Sequence, residues 1–572
     1  MFEQEISVMI EKELKKTIKA SEISKLIEKP SRSELGDIAF PCFTLASVLK
    51  QNPKKIAEDI AEKLGRKMPP GISKISAING YVNFFVDGPF IAMRIIHEIL
   101  KEKEDFGSSN LGKHSKIVID FSGPNIGKPM HIGHIRSTIL GDSMLRIMNF
   151  QGYDAKGINY LGDIGLHIGK LIVAYELWLD KGALKKNAVE ELLRLYIKFC
   201  EKEKTDYEED NEEEFQNNEW TNKAREKLKL LETGDKKTEV IWKEILQGSK
   251  KGFGEIYKLL NVNFHETTGQ SLFSSKGKRV IAEALKKGLA KIEKDNAVYV
   301  ELDDLQKKYI IRSNGTASYI TQDIGAAVER YRKYNFDRMI YVTDFRQEFH
   351  FKQLFAILKK FGYDFPDKLF HLPFGTVNFE GEIMATRKGK MVLLHDVLQK
   401  TVEKASEEVK KRGTKGDATD IGVGAVKYAI LKNEPRKDIN FSWEQALNFE
   451  GDSGPYLQYS YARASSILRK ASEADKKKKA DFSTLSSDKE KMLVKTLALF
   501  PEICRNASEQ LAPNIIAGYT YNLARSFNDF YESCPVLKSG AEKEARLLLV
   551  EASRQVLGNA LSLLGINALK EM

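Results

Sequence analysis

A short apolar strand that breaks at a turn and leads into a helix constrains the fold of this chain most strongly. Residues 116–121, KIVIDF, form such a strand, which ends at SGPN, and a helix is predicted to begin near His131. Further strands are predicted, with helical stretches between them, at 154–163, 296–302, 338–344 and 371–379. Strands that alternate with helices predict an α/β fold with a parallel, doubly wound sheet.

The length of 572 residues exceeds what one hydrophobic core normally serves, so several domains are expected. A capped helix at 52–65 and a strand at 80–87 indicate a small α+β unit near the N-terminus. After residue 450 the pattern is helical, with an apolar stripe at 547–565. The predicted domains are 1–112, α+β; 113–380, a Rossmann-like sheet with a helical insertion at about 171–295; 381–450, a loop and linker; and 451–572, all-helical.

Composition excludes several classes of protein. The chain has no run of about 18 uncharged apolar residues, so no membrane span and no membrane partner are expected, and its N-terminus mixes acids and bases, unlike a signal peptide. The four cysteines form no CxxC pair and have no histidine at ligand spacing, so neither a zinc site nor a disulfide framework is expected. We therefore expect no metal site and a reducing cytoplasm.

The formal net charge is +10, with a sequence pI of about 8.9. A surface of this sign attracts a large acidic polymer such as a nucleic acid. A lysine-rich soluble protein without such a partner would have the same charge. Charge alone leaves both interpretations open.

His131 and His134, two of nine histidines in the chain, lie three residues apart where the helix is predicted to begin. On a first helical turn they share one face, and the helix N-terminus adds unpaired N–H groups and a positive dipole end. Both rings can donate hydrogen bonds to phosphate oxygens. Gly133 would let a flat base lie on the backbone, and Lys128 would add a mobile cation. Together these residues suit ATP.

Two other interpretations of the histidine pair stay open on the residues alone. The rings could be metal ligands, although no third ligand is suggested nearby, or they could be ordinary surface histidines. Neither GxGxxG nor GxxxxGK[ST] follows the strand at 116–121, so a dinucleotide-binding fold and a P-loop are not indicated.

HIGH after a strand resembles the signature of class I aminoacyl-tRNA synthetases. The longer block DFSGPNIGKPMHIGHIRSTILGD, residues 120–142, resembles arginyl-tRNA synthetases in particular. The likeness covers nearly the whole chain, through ELGDIAFP (34–41), GYVNF (80–84), SNGTASYITQDIGAAVERY (313–331), MIYVTDFRQEFHF (339–351) and GDSGPYLQYSYARA (451–464).

The resemblance implies a Rossmann-like catalytic domain with a helical insertion, an N-terminal α+β domain that contacts tRNA and a helical anticodon-binding domain of the DALR type. It implies an arginine-tRNA ligase that uses ATP and Mg²⁺ to activate L-arginine and transfers it to the terminal adenosine of tRNA(Arg). We expect a monomer. A catalytically weakened, tRNA-binding paralogue of the same family is the alternative.

A carboxylate matches a guanidinium group through charge-assisted hydrogen bonds. Tyr319 and Asp323 lie four residues apart and share one face if a helix begins there, and the resemblance implies that they bind the arginine side chain. It implies that Asp120, Asn125 and Gln347 hold the amino and carboxyl ends. Taken singly, Tyr319 could be a core aromatic and Asp323 a helix cap.

The segment EIMATRKGK, residues 382–390, resembles the mobile signature loop of the family, in which Ile383 replaces the first Lys and Ala385 the Ser. The resemblance implies that Lys128 compensates for the missing Lys. It gives the catalytic residues as Lys128, His131, His134, Arg387 and Lys388. It gives the ATP-binding residues as His131, Gly133, His134, Met384 and Thr386, with Gly375 and Val377 of a strand whose backbone reads adenine.

In PYLQYSYARA, Tyr456, Tyr459 and Arg463 share one helix face, and aromatic rings beside Arg suit unstacked anticodon bases. Both tyrosines could instead pack in the helical core. Three further residues are also open: Asp163 could be functional or a turn residue, and His350 and His167 could contact the nucleotide or pack, with packing favoured for both.

Overall fold

The computed structural model describes residues 2–14, 18–28, 30, 32–66, 68–204, 218–313, 315–379, 393–413, 415–472 and 480–572. Its strands are β1 (Ile38–Pro41), β2 (Ile72–Ile78), β3 (Tyr81–Val86), β4 (Lys116–Asp120), β5 (Asp154–Leu161), β6 (Glu266–Gly269), β7 (Lys291–Ile292), β8 (Val298–Leu302), β9 (Gln306–Ile311), β10 (Arg338–Asp344), β11 (Leu369–Phe374), β12 (Val377–Phe379) and β13 (Ile439–Phe441).

The helices in the described part of the chain are α1 (Phe2–Glu13), α2 (Ala20–Leu26), α3 (Leu45–Leu49), α4 (Pro53–Gly65), α5 (Gly88–Glu102), α6 (Ile132–Phe150), α7 (Leu166–Trp178), α8 (Lys181–Lys186), α9 (Ala188–Glu203), α10 (Glu219–Glu232), α11 (Lys236–Leu259), α12 (Ser271–Lys286), α13 (Tyr319–Tyr334), α14 (Glu348–Lys360), α15 (Leu394–Arg412), α16 (Ala418–Leu431), α17 (Trp443–Ala446), α18 (Gly454–Lys470), α19 (Asp488–Ala498), α20 (Phe500–Glu509), α21 (Pro513–Ser533) and α22 (Lys543–Leu563). None of them is both long and apolar enough to cross a membrane.

The chain divides into two compact units. The first contains residues 1–103, 467–498 and 526–555, and the second contains 104–466, 499–525 and 556–572. Each unit therefore includes parts of the helical C-terminal region. The domain boundaries predicted from the sequence remain predictions.

The first unit has an antiparallel three-stranded sheet in the order β1-β3-β2. The β2–β3 hairpin closes through Asn79 and Gly80, which both have a positive φ, as a tight hairpin turn requires. The predicted helix signature is accurate here: Asn52 caps α4 by accepting a hydrogen bond from the Lys54 backbone N–H at 2.9 Å. Within the same unit Glu490 is fully buried and pairs with Arg546 at 2.7 Å, which joins two C-terminal helices.

The second unit is built on a five-stranded parallel sheet in the order β11-β10-β4-β5-β6. The predicted parallel, doubly wound sheet is thus confirmed. Its central strands β4 and β10 contain continuous apolar runs, as is usual for strands that helices cover on both faces. Strand β4 lies in the middle, and α6 follows it directly, so the histidine motif lies at the carboxyl end of the central strand. Helices α7–α11 form an insertion between β5 and β6.

Two predicted strand regions do form strands, but their arrangement in sheets differs from the expectation. The strand predicted at 296–302 is β8, which lies in a separate antiparallel sheet, β7-β8-β9, rather than in the parallel one. The run predicted at 371–379 is two strands: β11 closes the parallel sheet, and β12 leaves it to pair with β13. The edge strand β6, inside the range predicted as a helical insertion, is short and polar and gave no strand signal.

Candidate active site

The start of α6 gives the site its geometry. His131 is the N-cap residue, and it accepts a hydrogen bond from the Gly133 backbone N–H on its Nδ1 atom at 3.0 Å. The His131 backbone N–H donates to His134 Nδ1 at 3.2 Å. The centroids of the two rings are 3.9 Å apart. Both histidines therefore lie on the first turn, as their spacing predicts.

These hydrogen bonds fix the tautomer of both histidines. Because each Nδ1 accepts a hydrogen bond, the proton of the neutral ring resides on Nε2, which becomes a donor. Burial and the neighbouring His131 lower the pKa of His134 well below its ordinary value. His134 is therefore neutral near pH 7. A Cβ on Gly133 would lie 2.8 Å from His131 Cε1, so glycine leaves the room that this ring needs.

The segment before the motif is held by hydrogen bonds to the helical insertion. Ser122 has a φ of +74°, which a non-glycine residue keeps only when its surroundings hold it. Its Oγ lies 2.7 Å from the Tyr257 hydroxyl and accepts from Thr138 Oγ1 at 2.9 Å. The Gly127 N–H donates to Ser249 Oγ at 2.8 Å. Tyr257 and Ser249 belong to α11, so the insertion positions this loop.

Lys128 is not the mobile cation that the sequence interpretation describes. The residue is only 8% exposed, and its Nζ lies 4.7 Å from the centroid of the Tyr196 ring. Tyr196 belongs to α9 of the insertion. The expected mobility is therefore wrong, because the insertion covers this side chain. A role of the Lys128 charge at the phosphates remains a prediction.

A buried ion pair lies at the carboxyl end of β4. Asp120 accepts a hydrogen bond from Arg330 Nη1 at 2.8 Å, and the two side chains are 10% and 4% exposed. The guanidinium of Arg330 lies over the Tyr160 ring, with Cζ 4.5 Å from the centroid. Burial raises the pKa of Asp120, the Arg330 charge opposes that rise, and Asp323 adds to it. The two predicted carboxylates thus belong to one buried electrostatic cluster.

Helix α13 presents the residues predicted to bind the arginine side chain. Tyr319 is its first residue and is 37% exposed, so it is not a core aromatic. Asp323 is buried one turn later, and Ser318 rather than Asp323 is the N-cap residue. His350 Nε2 donates to Asp323 Oδ2 at 2.7 Å, and its ring centroid is 4.9 Å from that of Tyr319. The structure therefore brings His350 together with both residues.

Gln347 and Asn125 follow the adjacent strands β10 and β4. The Gln347 Oε1 atom is buried and has no hydrogen-bond partner among the described residues. Such an acceptor is costly unless a ligand satisfies it. Asn125 forms a β-bridge with Gly162, and a Cβ on Gly162 would lie 1.8 Å from Asn125 Oδ1. The Asn125 side chain is therefore held against the end of β5.

Arg136 is a buried residue of α6 that the sequence reasoning missed. Its guanidinium donates four hydrogen bonds of 2.8 to 3.1 Å, to the backbone carbonyls of Gly375, Thr376, Glu434 and Pro435. Burial lowers its pKa to about 10, which leaves it charged near neutral pH. The Gly375 N–H also donates to the Pro435 carbonyl at 3.0 Å. Both backbone groups of Gly375 thus have protein partners.

Val377 is the better placed of the two residues predicted to read adenine. It pairs with Ile439 in the parallel β12–β13 register, and the Ile439 N–H donates to the Thr376 carbonyl at 2.9 Å. In this pattern the N–H and C=O groups of Val377 point away from β13. They therefore face the open side of the strand.

Asp163 has a structural role in the described contacts. Its Oδ1 accepts from the Ser271 N–H and its Oδ2 from Ser271 Oγ, both at 2.7 Å, which satisfies the first turn of α12. Its backbone carbonyl accepts from Trp242 Nε1 at 2.7 Å. Burial raises the pKa of Asp163. His167 lies nearby, with Nε2 3.3 Å from the Gly162 carbonyl.

The three residues predicted to contact tRNA lie on α18. The Tyr456 ring lies 5.8 Å, between centroids, from the Tyr521 ring. The guanidinium of Arg463 lies over the Tyr459 ring, 4.8 Å from its centroid. All three are partly exposed. Their contact with tRNA stays a prediction.

The signature loop lies outside the described residues, and it contains Ile383, Met384, Ala385, Thr386, Arg387 and Lys388.

Sequence reasoning indicated no role for Arg136 or Arg330, and it favoured packing as the role of His350. For Arg330 a signal did exist. Tyr319, Asp323 and Arg330 are spaced i, i+4 and i+11, which puts all three on one helix face.

Three family models match the chain. The model described as "tRNA synthetases class I (R), catalytic domain" matches residues 95–443, "Arginyl tRNA synthetase N terminal domain" matches 4–86, and "DALR anticodon binding domain" matches 457–572. A parallel sheet with the histidine motif at the end of its central strand, together with the first match, defines a class I aminoacyl-tRNA synthetase.

Relatives narrow this class to one family. Proteins named arginine-tRNA ligase from Clostridium botulinum (strain Loch Maree / Type A3) and Clostridium perfringens (strain 13 / Type A) are 39% and 38% identical to the chain over 559 residues, 96% of its length; the match also covers 96% of each relative. The chain belongs to the arginyl-tRNA synthetase family. The resemblance seen in the motifs is confirmed.

Solved structures show the same fold. Thermus thermophilus arginyl-tRNA synthetase superposes with a TM-score of 0.76 and 24% identity, and 100% of both chains is covered. Arginyl-tRNA synthetase from Plasmodium falciparum gives a TM-score of 0.75 at 24% identity, with 99% of this chain and 98% of that chain covered.

Proposed function

We propose that this enzyme is an arginine-tRNA ligase, which activates L-arginine with ATP and transfers it to the 3′-terminal adenosine of tRNA(Arg). One observation supports the proposal best: two different binding environments lie at one edge of the sheet. The histidine-capped start of α6 suits phosphates, and the buried acidic cluster around Asp120 and Asp323 suits a cationic amino acid. Both lie near the carboxyl end of β4, because Asp120 is the last residue of this strand and α6 is the next helix.

In the first step the arginine carboxylate attacks the α-phosphate in line, and arginyl-adenylate and pyrophosphate are formed. Positioning and charge stabilisation suffice for such a transfer. The Nε2–H groups of His131 and His134 donate to phosphate oxygens beside the N-terminus of α6. The positive charges come from Lys128, Arg387 and Lys388.

The nucleotide is held by residues from three segments. Gly133 keeps the first turn of α6 open towards it, and Val377 reads adenine through its backbone groups. Gly375 supports the same strand, since its backbone groups are bonded within the protein. Met384 and Thr386 of the signature loop complete the contacts.

The amino acid lies beside the nucleotide. Tyr319 and Asp323 bind the guanidinium, and Asp120, Asn125 and Gln347 hold the α-amino and carboxyl ends. The buried Gln347 Oε1 accepts a hydrogen bond from a substrate N–H. An apolar competitor would leave these polar groups unpaired, so the pocket discriminates strongly without an editing domain.

Mg²⁺ enters with ATP in this proposal, held chiefly by phosphate oxygens, as is usual for this ion. It neutralises charge on the triphosphate. The described residues include no group of three or more His, Cys, Asp or Glu side chains that could hold a metal ion.

In the second step the 2′-hydroxyl of the terminal adenosine attacks the adenylate carbonyl and releases AMP. Tyr456, Tyr459 and Arg463 contact the anticodon region, and the N-terminal domain contacts the tRNA elsewhere. We propose that the enzyme works as a monomer in the cytoplasm. Its four cysteines are buried free thiols, which fits a reducing compartment.

The test is aminoacylation of total tRNA with ATP and each of the twenty amino acids in turn. We expect charging with arginine alone, and only of tRNA that accepts arginine. Charging with another amino acid would refute the assignment. Tight tRNA binding without charging would favour the weakened paralogue, which the altered loop at Ile383 suggests.

A further inference from the structure

We infer that His350 is a positioning residue for the arginine side chain: it holds the Asp323 carboxylate in the orientation that a guanidinium needs. The inference rests on the proposed function and deepens it, because it adds a residue to the same pocket. His350 need not touch the substrate, since it acts through Asp323.

The hydrogen bond between the two side chains is short and well protected. His350 Nε2 donates to Asp323 Oδ2 at 2.7 Å, and both side chains are largely buried. The bond occupies one carboxylate oxygen and presents the other, Oδ1, as an acceptor for a guanidinium N–H. Hydrogen bonds to a charged group inside a protein are stronger than neutral ones, so this one can fix the carboxylate.

His350 itself is held by rigid elements. It lies in the first turn of α14, and its ring packs against Tyr319 and edge-on against Phe351, 5.4 Å between centroids in the second pair. Phe351 packs in turn against Tyr341 of β10, whose register partner on β4 is Asp120. A continuous row of side chains therefore links the sheet to the carboxylate. Sites supported in this way are more precise than sites on loops.

The reason that such a bond is needed is the protein's own arginine. Arg330 lies on the same face of α13 as Asp323, and long helical side chains point back towards the helix N-terminus. Its guanidinium already pairs with Asp120 and also interacts electrostatically with Asp323. An unrestrained Asp323 could turn towards Arg330. The bond to His350 keeps this carboxylate available to the substrate.

Two matched variants test the inference. In His350→Gln the amide nitrogen can take the place of Nε2, whereas in His350→Asn it takes the place of Nδ1 and does not reach Asp323. We measure the affinity for arginine by calorimetry, and KM for arginine and for ATP by pyrophosphate exchange with tRNA present. His350→Asn should weaken arginine binding roughly 10-fold or more, with KM for ATP changed less than about twofold. His350→Gln should recover most of the loss.

Two controls separate positioning from packing. His371→Gln changes a neighbouring histidine that stacks on the same Phe351 but bonds to Thr343, so arginine affinity should stay within about twofold of the wild type. In an Asp323→Ala background, adding His350→Asn should weaken arginine binding no further, because the group it positions is absent.

Equal loss in His350→Asn and His350→Gln, an equal rise of both KM values, or additive losses in the double variant would overturn the inference. A wild type that binds arginine but charges no tRNA would refute the proposed function. The role of His350 would then be decided by the arginine affinities of its variants, measured by calorimetry. A wild type that does not bind arginine would refute both.

Discussion

At the scale of single residues, hydrogen bonds inside the site decide what each group can contribute. His131 and His134 both use Nδ1 as an acceptor, and the pKa of His134 is lowered well below its ordinary value. We therefore expect them to act as Nε2–H donors to the triphosphate, and we expect its positive counter-charges to come from Lys and Arg side chains. Because the sequence of the signature loop is altered, we expect the buried Lys128 to be the most important of these cations.

Lys427 of α16 lies outside the site, and burial lowers its pKa as it lowers that of His134. This shift gives a prediction about pH. It is fully buried, donates to the Gly565 carbonyl at 2.7 Å and lies 3.7 Å from Asp142. Burial lowers its pKa from 10.5 to about 8. The unfolded chain therefore binds more protons between these two values, and stability due to Lys427 rises with pH there, by roughly 3 kcal/mol.

The measurement is the difference in thermal unfolding midpoint between the wild type and Lys427→Met. Between pH 7.5 and pH 10, the unfolding midpoint of the wild type should rise relative to that of the variant. This interval covers most of the range between the lowered pKa of about 8 and the ordinary pKa of 10.5. A difference that does not change with pH would show that folding does not lower the pKa of Lys427.

At the scale of elements, α6 connects the two halves of the proposed nucleotide site. Its first turn carries the histidine motif, and Arg136 in the next turn holds the backbone that leads into β12. Ser137 Oγ also donates to the Val342 carbonyl of β10 at 2.7 Å. The helix therefore sets the distance between the turn proposed to bind phosphates and the strand proposed to read adenine.

Arg136→Lys should raise KM for ATP roughly 10-fold or more and change KM for arginine less than about threefold. A lysine has three donors on one point charge, so it cannot satisfy four carbonyls that a planar guanidinium bonds together. The matched control is Arg146→Lys on the same helix, whose partner is Asp142 at 2.9 Å. Equal effects of both substitutions on ATP would contradict a specific role for Arg136.

At the scale of the whole molecule, the sequence predicts those strands that a local pattern of residues encodes. Strands β4 and β10 contain apolar runs, so their place in a covered parallel sheet was predictable. The sequence VYVEL of β8 reads equally well as a strand of any sheet, because pairing partners are not encoded locally. The short, polar β6 carries no strand signal at all.

The residues of the site also differ in whether a local sequence pattern predicts them. Motif residues such as His131 and Asp323 stand in recognisable local patterns. Arg136 and Arg330 act on groups 239 and 210 residues away, at Gly375 and Asp120. The helical spacing places Arg330 on the face of Asp323, but it does not report the contact with Asp120, and no spacing reports the contacts of Arg136. Their roles became visible only when the fold brought the partners together.

The measurement that tests the central claim most directly is a crystal structure of the enzyme with ATP and L-arginine. The phosphates should accept hydrogen bonds from Nε2 of His131 and His134, and the guanidinium should pair with Asp323 beside Tyr319. Nucleotide bound away from the start of α6, or an arginine side chain that pairs with neither Tyr319 nor Asp323, would contradict the account.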